Sequence, residues 1–143
     1  QTDAKIQASG YRVREVGKPG SPDQPSMWEM NVKSWVTAPL ATGRSGRNMI
    51  YGVAFGGVTA LEKVEVSVDG GKSWKQARFL GPDLGPYAWR PFVMATELKP
   101  GEHRIVSRAT DAEGNSQPEG RVDNERGYGH NGWSDHGVTV TVS

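Results

Sequence analysis

The sequence contains no cysteine among its 143 residues. A chain without cysteine can form no disulfide framework, no thiolate metal site and no thiol nucleophile. It has no apolar run near the roughly 20 residues needed to cross a bilayer. It also lacks an excess of either charge, since 17 Lys and Arg balance 16 Asp and Glu. The resulting net charge of +1 provides no field that would attract nucleic acid or a membrane surface.

Long helical patterns are missing too, whereas glycine and proline are frequent, at 19 and 9 residues. This composition favours strands joined by turns, and the length suffices for one domain with its own core. The pattern predicts an all-β, immunoglobulin-like (E-set type) β-sandwich of about seven strands. The predicted strands are 30–36, 48–55, 60–68, 73–80, 87–93, 102–109 and 137–142.

The clearest local signal is the segment Val64–Trp74. Its three valines alternate with polar residues, which is typical of a strand with one apolar face. Asp69-Gly70-Gly71 then supplies residues that tolerate positive φ, as a tight hairpin requires. The segment therefore predicts a β-hairpin.

Large rings are expected to fill the core, because no disulfide can link the two sheets. Trp35, Trp74 and Trp89 are the predicted core-filling residues. Pro91 lies inside a predicted strand and has no N–H to donate, so it indicates an edge strand or a bulge.

Residues 1–29 differ from the remainder, because they lack periodicity and segment 17–25 holds three prolines. They predict an extended arm, packed or loose, that precedes a domain over residues 30–143. The chain begins at Gln1 rather than Met, which fits either a mature secreted protein after signal removal or an excised fragment.

The connection 112–136 is long for a compact domain and rich in Gly, Asn and charge, which is typical of a functional or disordered loop. Segment 127–132 within it matches GxGxxG. A dinucleotide site needs that motif between a strand and a helix, and no helix pattern follows here. We interpret the motif as a flexible loop.

His130, Asp135 and His136 lie close together and raise the possibility of a metal site. Their spacing is loose and no third histidine is near, so surface or hydrogen-bonding histidines are the favoured interpretation. No GxSxG motif marks a nucleophile. Three acidic residues are interpreted as turn residues, namely Asp69, Asp111 and Glu113.

Arg126 lies in the same long connection, beside residues that let the backbone turn sharply. By itself it is best interpreted as a solvated arginine. One charge-assisted hydrogen bond contributes about 1.5–3 kcal/mol, whereas millimolar binding requires about 4 kcal/mol. Arg126 alone therefore cannot form an anion site, although it could complete one built mainly by another domain.

A set of short segments, in order along the chain, resembles the C-terminal dimerisation domain of the sulfite oxidase family of molybdenum oxidoreductases. Gly10-Tyr11-Arg12 and the proline-rich arm resemble the segment by which such chains leave the cofactor domain. The segments that carry the resemblance over residues 30–143 are 31–34, 52–57, 64–74, 87–90, 108–111, 114–118 and 124–128.

The resemblance implies a dimerisation domain that pairs two subunits and leans against a molybdenum domain. It implies that the Asn-x-Arg-Gly loop sends Arg126 into the pocket of a sulfur oxyanion substrate, which reverses the interpretation from the residue alone. Tyr128 and His130 are expected to border that pocket. The implied function is to complete the substrate pocket of a sulfite dehydrogenase-like enzyme.

The family's molybdenum is held by a pterin dithiolene and a cysteine thiolate in a separate, preceding domain. This chain has no cysteine, so it is expected to bind no cofactor and to oxidise nothing alone. It would be a piece of a longer enzyme or a small subunit that docks on a catalytic chain. The implied partners are that molybdenum-pterin domain, a second copy of the chain and a cytochrome as electron acceptor, in a periplasmic or otherwise exported location.

One alternative is a self-standing extracellular module for adhesion or carbohydrate binding. It would need exposed aromatic rings in a row, for which Trp28, Trp35 and Trp133 are the candidates. Core or interface positions are the favoured interpretation of these rings. An independent hydrolase has no supporting motif.

Overall fold

The computed structural model of the protein describes residues 9–143, so the first eight residues of the predicted arm lie outside the described residues. The described part is an all-β sandwich of two sheets, which confirms the predicted fold class. One sheet has the order β1-β3-β7-β6 and the other has the order β2-β9-β8-β4-β5. The strands are β1 (Lys33–Ala38), β2 (Thr42–Gly43), β3 (Gly46–Phe55), β4 (Leu61–Ser67), β5 (Lys75–Gln76), β6 (Arg78–Phe79), β7 (Arg90–Leu98), β8 (Gly101–Asp111) and β9 (Val138–Val142).

The core consists mainly of small branched side chains, which alternate inward along the strands of both sheets. Val64 and Val66 of β4 face the core, as the hairpin pattern predicts, and both are almost fully buried. Ile50 and Phe92 approach from the other sheet and are fully buried. Each such side chain stabilises the fold by about 1.5–3 kcal/mol through removal of apolar surface from water.

The predicted role of the tryptophans in the core is wrong. Trp89 is 45% exposed and packs edge-on against Trp35, with ring centroids 4.6 Å apart, on the outer side of β1. Trp74 is half-buried and packs on Trp133, with centroids 5.2 Å apart. The core layer between two sheets is only about 10 Å thick, and branched side chains with Phe92 already fill it.

The predicted strand 73–80 divides at Ala77 into two strands that belong to different sheets. The Ala77 N–H donates to the Val64 carbonyl oxygen (2.8 Å), at the end of the pairing between β4 and β5. β6 then pairs with β7 of the opposite sheet. Together with the two-residue β2, this division raises the strand count within residues 9–143 to nine, against the seven predicted.

Pro91 does not mark an edge strand, because β7 pairs with β3 on one side and β6 on the other. The register between β3 and β7 also has no bulge. The proline fits because it is the second residue of its strand and serves there as an acceptor: its carbonyl oxygen accepts the Leu80 N–H at 2.8 Å.

The predicted hairpin is confirmed, since β4 pairs with β5 across the turn 69–73. Gly70 and Gly71 have φ values of 75° and 96°, which side-chain-bearing residues rarely adopt. A Cβ at Gly71 would also overlap the ring of Trp133. The turn therefore depends on glycine for both its backbone conformation and its close approach to an aromatic ring.

The described part of the arm folds back on itself. Val13 N–H donates to the Pro25 carbonyl oxygen (2.8 Å), and Met27 N–H donates to the Tyr11 carbonyl oxygen (3.3 Å). These bonds make a hairpin-like segment of residues 11–27, which we call the arm hairpin. Within residues 9–143 no helix has the length and apolar character required to span a membrane.

Candidate functional site

The long connection between β8 and β9 is fixed to the sandwich by a buried amide. The Gln117 side chain is 2% exposed, and its Oε1 accepts from Ser34 Oγ (2.6 Å) and from Ala109 N–H (3.0 Å). Its Nε2 donates to the Asn131 carbonyl oxygen at 2.8 Å. These contacts join β1, β8 and the connection, so the segment between Gln117 and Asn131 is attached at both ends.

The turn that carries Arg126 is organised by the side chain of Asn124. Asn124 Oδ1 accepts from the N–H groups of Arg126 (3.3 Å) and Tyr128 (2.9 Å). Asn124 Nδ2 donates to the Tyr128 carbonyl oxygen at 2.8 Å. Arg126 is exposed, and its side chain has no hydrogen bond or ion pair with any residue in 9–143. The Asn-x-Arg-Gly segment thus presents an uncommitted guanidinium on a defined turn.

Tyr128 and His130 line a cleft of about 510 Å³ between the arm hairpin and β1, close to the Arg126 turn. The structure therefore brings these two predicted residues together. Arg126 itself is not among the described residues that line the cleft and lies on the adjoining turn. Lys33 also lines the cleft, and its Nζ donates to the His130 carbonyl oxygen at 2.8 Å.

Three basic side chains lie close together beside this cleft: Lys33 and His130 line it, and His136 lies next to Lys33 on the side of Trp35. Burial lowers the pKa of Lys33 below its usual range. The His136 ring lies 5.2 Å from the His130 ring, and its pKa is lowered by burial first and then by the charges of Lys33 and His130. Asp135 opposes that shift and lies 3.2 Å from His130, between its Oδ2 and the ring Nε2. Burial and the neighbouring positive charges therefore disfavour the protonated form of His136.

Sequence reasoning missed Lys33 and His136 as members of this cluster. His136 was noted only for a metal site, and within residues 9–143 no group of three or more His, Cys, Asp or Glu could hold a metal ion. Lys33 carried no signal of its own, because its neighbour His130 is 97 residues away in the chain. Only the tertiary structure brings these side chains together.

The GxGxxG segment forms a loop, as interpreted from its context. It is followed by Trp133 and a single 3-10 turn (Ser134–His136), after which β9 begins. A turn of three residues offers no helix N-terminus that could hold a pyrophosphate.

The acidic side chains interpreted as turn residues are confirmed in that role. Asp69 Oδ1 accepts from the N–H groups of Lys72 (3.0 Å) and Ser73 (2.9 Å), and hydrogen bonds from Ser67 and Ser73 lower the pKa of its carboxyl. Asp111 Oδ1 accepts from Glu113 N–H at 3.0 Å. Their acceptor atoms close the turns of the backbone.

The three tryptophans considered for a carbohydrate surface do not form an exposed row. Trp133 is 8% exposed, and Trp35 is partly covered by Trp89. Trp28 is 74% exposed. One exposed ring does not make a stacking platform for a sugar chain, so the binding-module alternative is not favoured.

The outer faces of the two sheets have opposite character. On the β1-β3-β7 sheet, Trp35, Val53 and Pro91 form one cross-strand row, and Tyr51 pairs with Val93 in the next. We call this surface the apolar face. It also includes Met49 and Ala95, and it ends at the charged pair Arg47 and Glu97.

The outer face of the other sheet is charged. Glu65 Oε2 lies 3.4 Å from Lys63 Nζ and 3.1 Å from Arg108 Nη2. Glu102 and Arg104 of β8 pair with Thr141 and Thr139 of β9 and are exposed. Charged and hydroxyl side chains cover this surface, whereas the centre of the apolar face is formed mainly by aromatic and aliphatic side chains, with charged residues at its border.

The chain is thus an all-β sandwich module with one apolar outer face and an exposed arginine on a loop. Residues 24–142 match the family model of the molybdenum-cofactor (Mo-co) oxidoreductase dimerisation domain. The chain belongs to that family, as the resemblance predicted.

Curated relatives agree with this assignment. The chain is 37% identical over 129 residues to mitochondrial sulfite oxidase of Homo sapiens, which covers 83% of this chain and 23% of that protein. It is 35% identical over 102 residues to sulfite oxidase of Gallus gallus, covering 66% of this chain and 22% of that protein. The chain thus spans less than a quarter of the length of these relatives.

A solved structure shares the fold. The sulfane dehydrogenase SoxCD of Paracoccus pantotrophus superposes with a TM-score of 0.68 and 24% sequence identity, over 97% of this chain and 36% of that one. This similarity supports the sandwich architecture.

Proposed function

We propose that this chain pairs two copies of a sulfite-oxidising molybdenum enzyme and completes the substrate pocket of the adjoining catalytic domain. The observation that carries the proposal is the apolar face. Tyr51 and Met49 are 43% and 39% exposed at its centre, and the opposite sheet has a charged surface instead. An apolar patch on one side only is typical of a surface that associates with a partner.

A second copy of the chain is the occupant we assign to the apolar face. The matched family is described as a dimerisation domain, and dimers with two-fold symmetry use the same patch on both subunits. An apolar, self-complementary sheet face meets that requirement, since the Arg47 and Glu97 boundary supplies both charge signs at its rim.

The substrate role rests on Arg126. Its exposed guanidinium has no partner within residues 9–143, so it is available to an anion from an adjoining domain. A single charge-assisted contact contributes about 1.5–3 kcal/mol, which corresponds to about 10- to 150-fold in binding. That magnitude fits a residue that completes a pocket built mainly by another domain.

The molybdenum cofactor does not fit the residues of this chain. The sequence has no cysteine thiolate, and the described residues contain no cluster of metal ligands. The molybdenum-pterin is borne by the catalytic domain of these enzymes. The redox step is therefore assigned to that domain, and this chain contributes binding and assembly.

Substitution of Arg126 by Ala, in the assembled enzyme that carries this chain, tests the substrate role. We expect the KM for sulfite to rise about 10- to 150-fold with little change in kcat, because ground-state and transition-state anions lose the same contact. The KM of R126K should lie between those of the wild type and R126A, because lysine keeps the positive charge but lacks the planar pair of N–H donors.

Arg121→Ala is the matched control, because Arg121 is exposed in the same connection but already pairs with Asp123 at 2.8 Å between Nε and Oδ1. An R126A enzyme with the KM of the R121A enzyme would remove the substrate role.

Two further features of the whole enzyme belong to the same proposal. A cytochrome is the electron acceptor that the family resemblance implies. The proposed location is periplasmic or otherwise exported, and a location outside the cytosol is supported by the mitochondrial relative in Homo sapiens.

A further inference from the structure

The turn 124–128 is fastened to the arm hairpin by three contacts. The backbone N–H of Glu125 donates to the Arg14 carbonyl oxygen at 3.0 Å. The carboxylate Oε2 of Glu125 accepts the Gly17 N–H at 2.6 Å. The rings of Tyr11 and Tyr128 stack with centroids 6.2 Å apart. We propose that Glu125 is a positioning residue that sets the place of Arg126 through the arm hairpin, an inference that rests on the proposed substrate role.

Asn124 determines the shape of the turn but not its place relative to the rest of the molecule. Within residues 9–143 the hydrogen-bond partners of its side chain all lie in the turn itself, at Arg126 and Tyr128. The turn also contains Gly127, and Gly129 follows it, both with positive φ. Glycine allows many backbone conformations, so the turn needs an external attachment to keep a fixed position.

Glu125 supplies that attachment from both its backbone and its side chain. The two contacts reach Arg14, which directly precedes the turn closed by the Lys18 N–H and the Glu15 carbonyl oxygen (3.1 Å), and Gly17, which lies within that turn. The acceptor in the hydrogen bond from Gly17 is a carboxylate oxygen of Glu125. A glutamine side chain has the same length, and its neutral amide oxygen can accept the same bond. Arg126 follows Glu125 directly, so any shift of Glu125 moves the arginine.

A positioning role of Glu125 can be distinguished from a purely electrostatic effect of its charge on substrate binding. A carboxylate next to an anion pocket repels the substrate, so its removal by charge alone would lower the KM. A positioning role predicts the opposite, because a released turn must be ordered again whenever the anion binds. The direction of the change in KM therefore distinguishes the two effects.

The test compares Glu125→Ala and Glu125→Gln in the assembled enzyme, with sulfite as substrate. We expect E125A to raise the KM about 3- to 10-fold, with kcat unchanged within about two-fold, because one side chain loses its fixed position. E125Q keeps the acceptor but removes the charge, so its KM should be at or below the wild-type value. Glu119→Ala is the matched control, since it removes the same charge from an exposed position in the same connection.

A second readout does not depend on activity. Hydrogen exchange at the Gly17 amide should become faster in E125A and stay slow in E125Q, because only the alanine variant removes its acceptor. In an R126A background E125A should cause no further rise in KM, since it acts through the arginine.

The outcomes separate this inference from the proposed function. An R126A enzyme with unchanged KM overturns the substrate role itself. If R126A raises the KM while E125A lowers it or leaves it unchanged, Arg126 binds the anion and the positioning role of Glu125 is wrong. An E125Q enzyme whose KM rises as in E125A also overturns the positioning role, because the amide acceptor that it keeps would then not fix the turn.

Discussion

At the scale of single residues, His136 shows how burial and neighbouring charges make the stability of the fold depend on pH. Burial, Lys33 and His130 all lower its pKa, and only Asp135 acts in the other direction. The ring of Trp35, 6.2 Å away, adds an apolar neighbour. Its Nε2 is buried and has no hydrogen-bond partner within the described residues. The folded protein therefore disfavours the protonated imidazole relative to the unfolded chain.

This shift predicts a pH dependence of stability. A histidine whose pKa is lowered on folding binds its proton more readily in the unfolded state, so the free energy of unfolding falls as the pH drops below the ordinary histidine value of about 6.5. Urea unfolding at about pH 7.5 and about pH 5.5 measures the loss. We expect His136→Asn to lose less stability over that interval than the wild type. If the wild type and His136→Asn lose equal stability over this interval, His136 is not the group that causes the pH dependence.

The three candidate site residues share one loop. Arg126, Tyr128 and His130 lie within five positions of each other, and local sequence shows that much. The contact between Glu125 and Gly17 joins residues 108 apart in the chain, and no local pattern encodes it. Sequence therefore places the candidate residues on one loop, while the contacts that hold this loop depend on tertiary packing.

At the scale of secondary-structure elements, the hairpin and the strand 73–80 had contrasting outcomes. Hairpin formation is local, so alternation and the Asp69-Gly70-Gly71 turn were sufficient to predict it. The division of 73–80 at Ala77 has no such signal, because inward and outward positions alternate in the same way whichever sheet supplies the partner. The misplaced tryptophans have a related cause: composition shows that large rings exist but not which face of a sheet they cover.

The connection between β8 and β9 depends on the Gln117 amide. Gln117→Leu would leave the Ala109 N–H and the Asn131 carbonyl oxygen without their partner in a buried region. We expect a loss of about 1–3 kcal/mol in the free energy of unfolding, the usual cost of an unsatisfied buried polar group. Urea denaturation monitored by tryptophan fluorescence measures it.

Gln76→Leu makes the same chemical change at an exposed position of β5, and it should alter stability by less than about 0.5 kcal/mol. A Q117L protein as stable as Q76L would show that the amide does not anchor the connection.

At the scale of the whole molecule, the outer faces of the two sheets differ in polarity. The charged face of the β4-β8-β9 sheet suits water, and the arm hairpin and the Arg126 turn meet at another part of the surface. The proposed function assigns a second copy of the chain to the apolar face. Because a two-fold interface contains each residue twice, one substitution at its centre changes the interface at two places.

Tyr51→Lys tests this arrangement in the assembled enzyme. Tyr51 is 43% exposed on β3, so a lysine fits in the separated subunit, whereas in the dimer it would place two cations in an apolar contact. Removing a charge from water without a partner costs several kcal/mol, so we expect the dimer to weaken at least about ten-fold. Sedimentation velocity over a concentration series measures the dissociation constant.

Thr141→Lys is the matched control, since it adds the same charge at an exposed position on the outer face of the opposite sheet. Its dimer should match that of the wild type, and both variants should retain the native fold. If Y51K remains a dimer as tight as T141K, pairing uses a different surface. If the two variants weaken it equally, net charge rather than the apolar face controls assembly. A selective effect of Y51K in a folded protein leaves contact through the apolar face as the physical cause, because both substitutions add one positive charge but only Y51K adds it to that face.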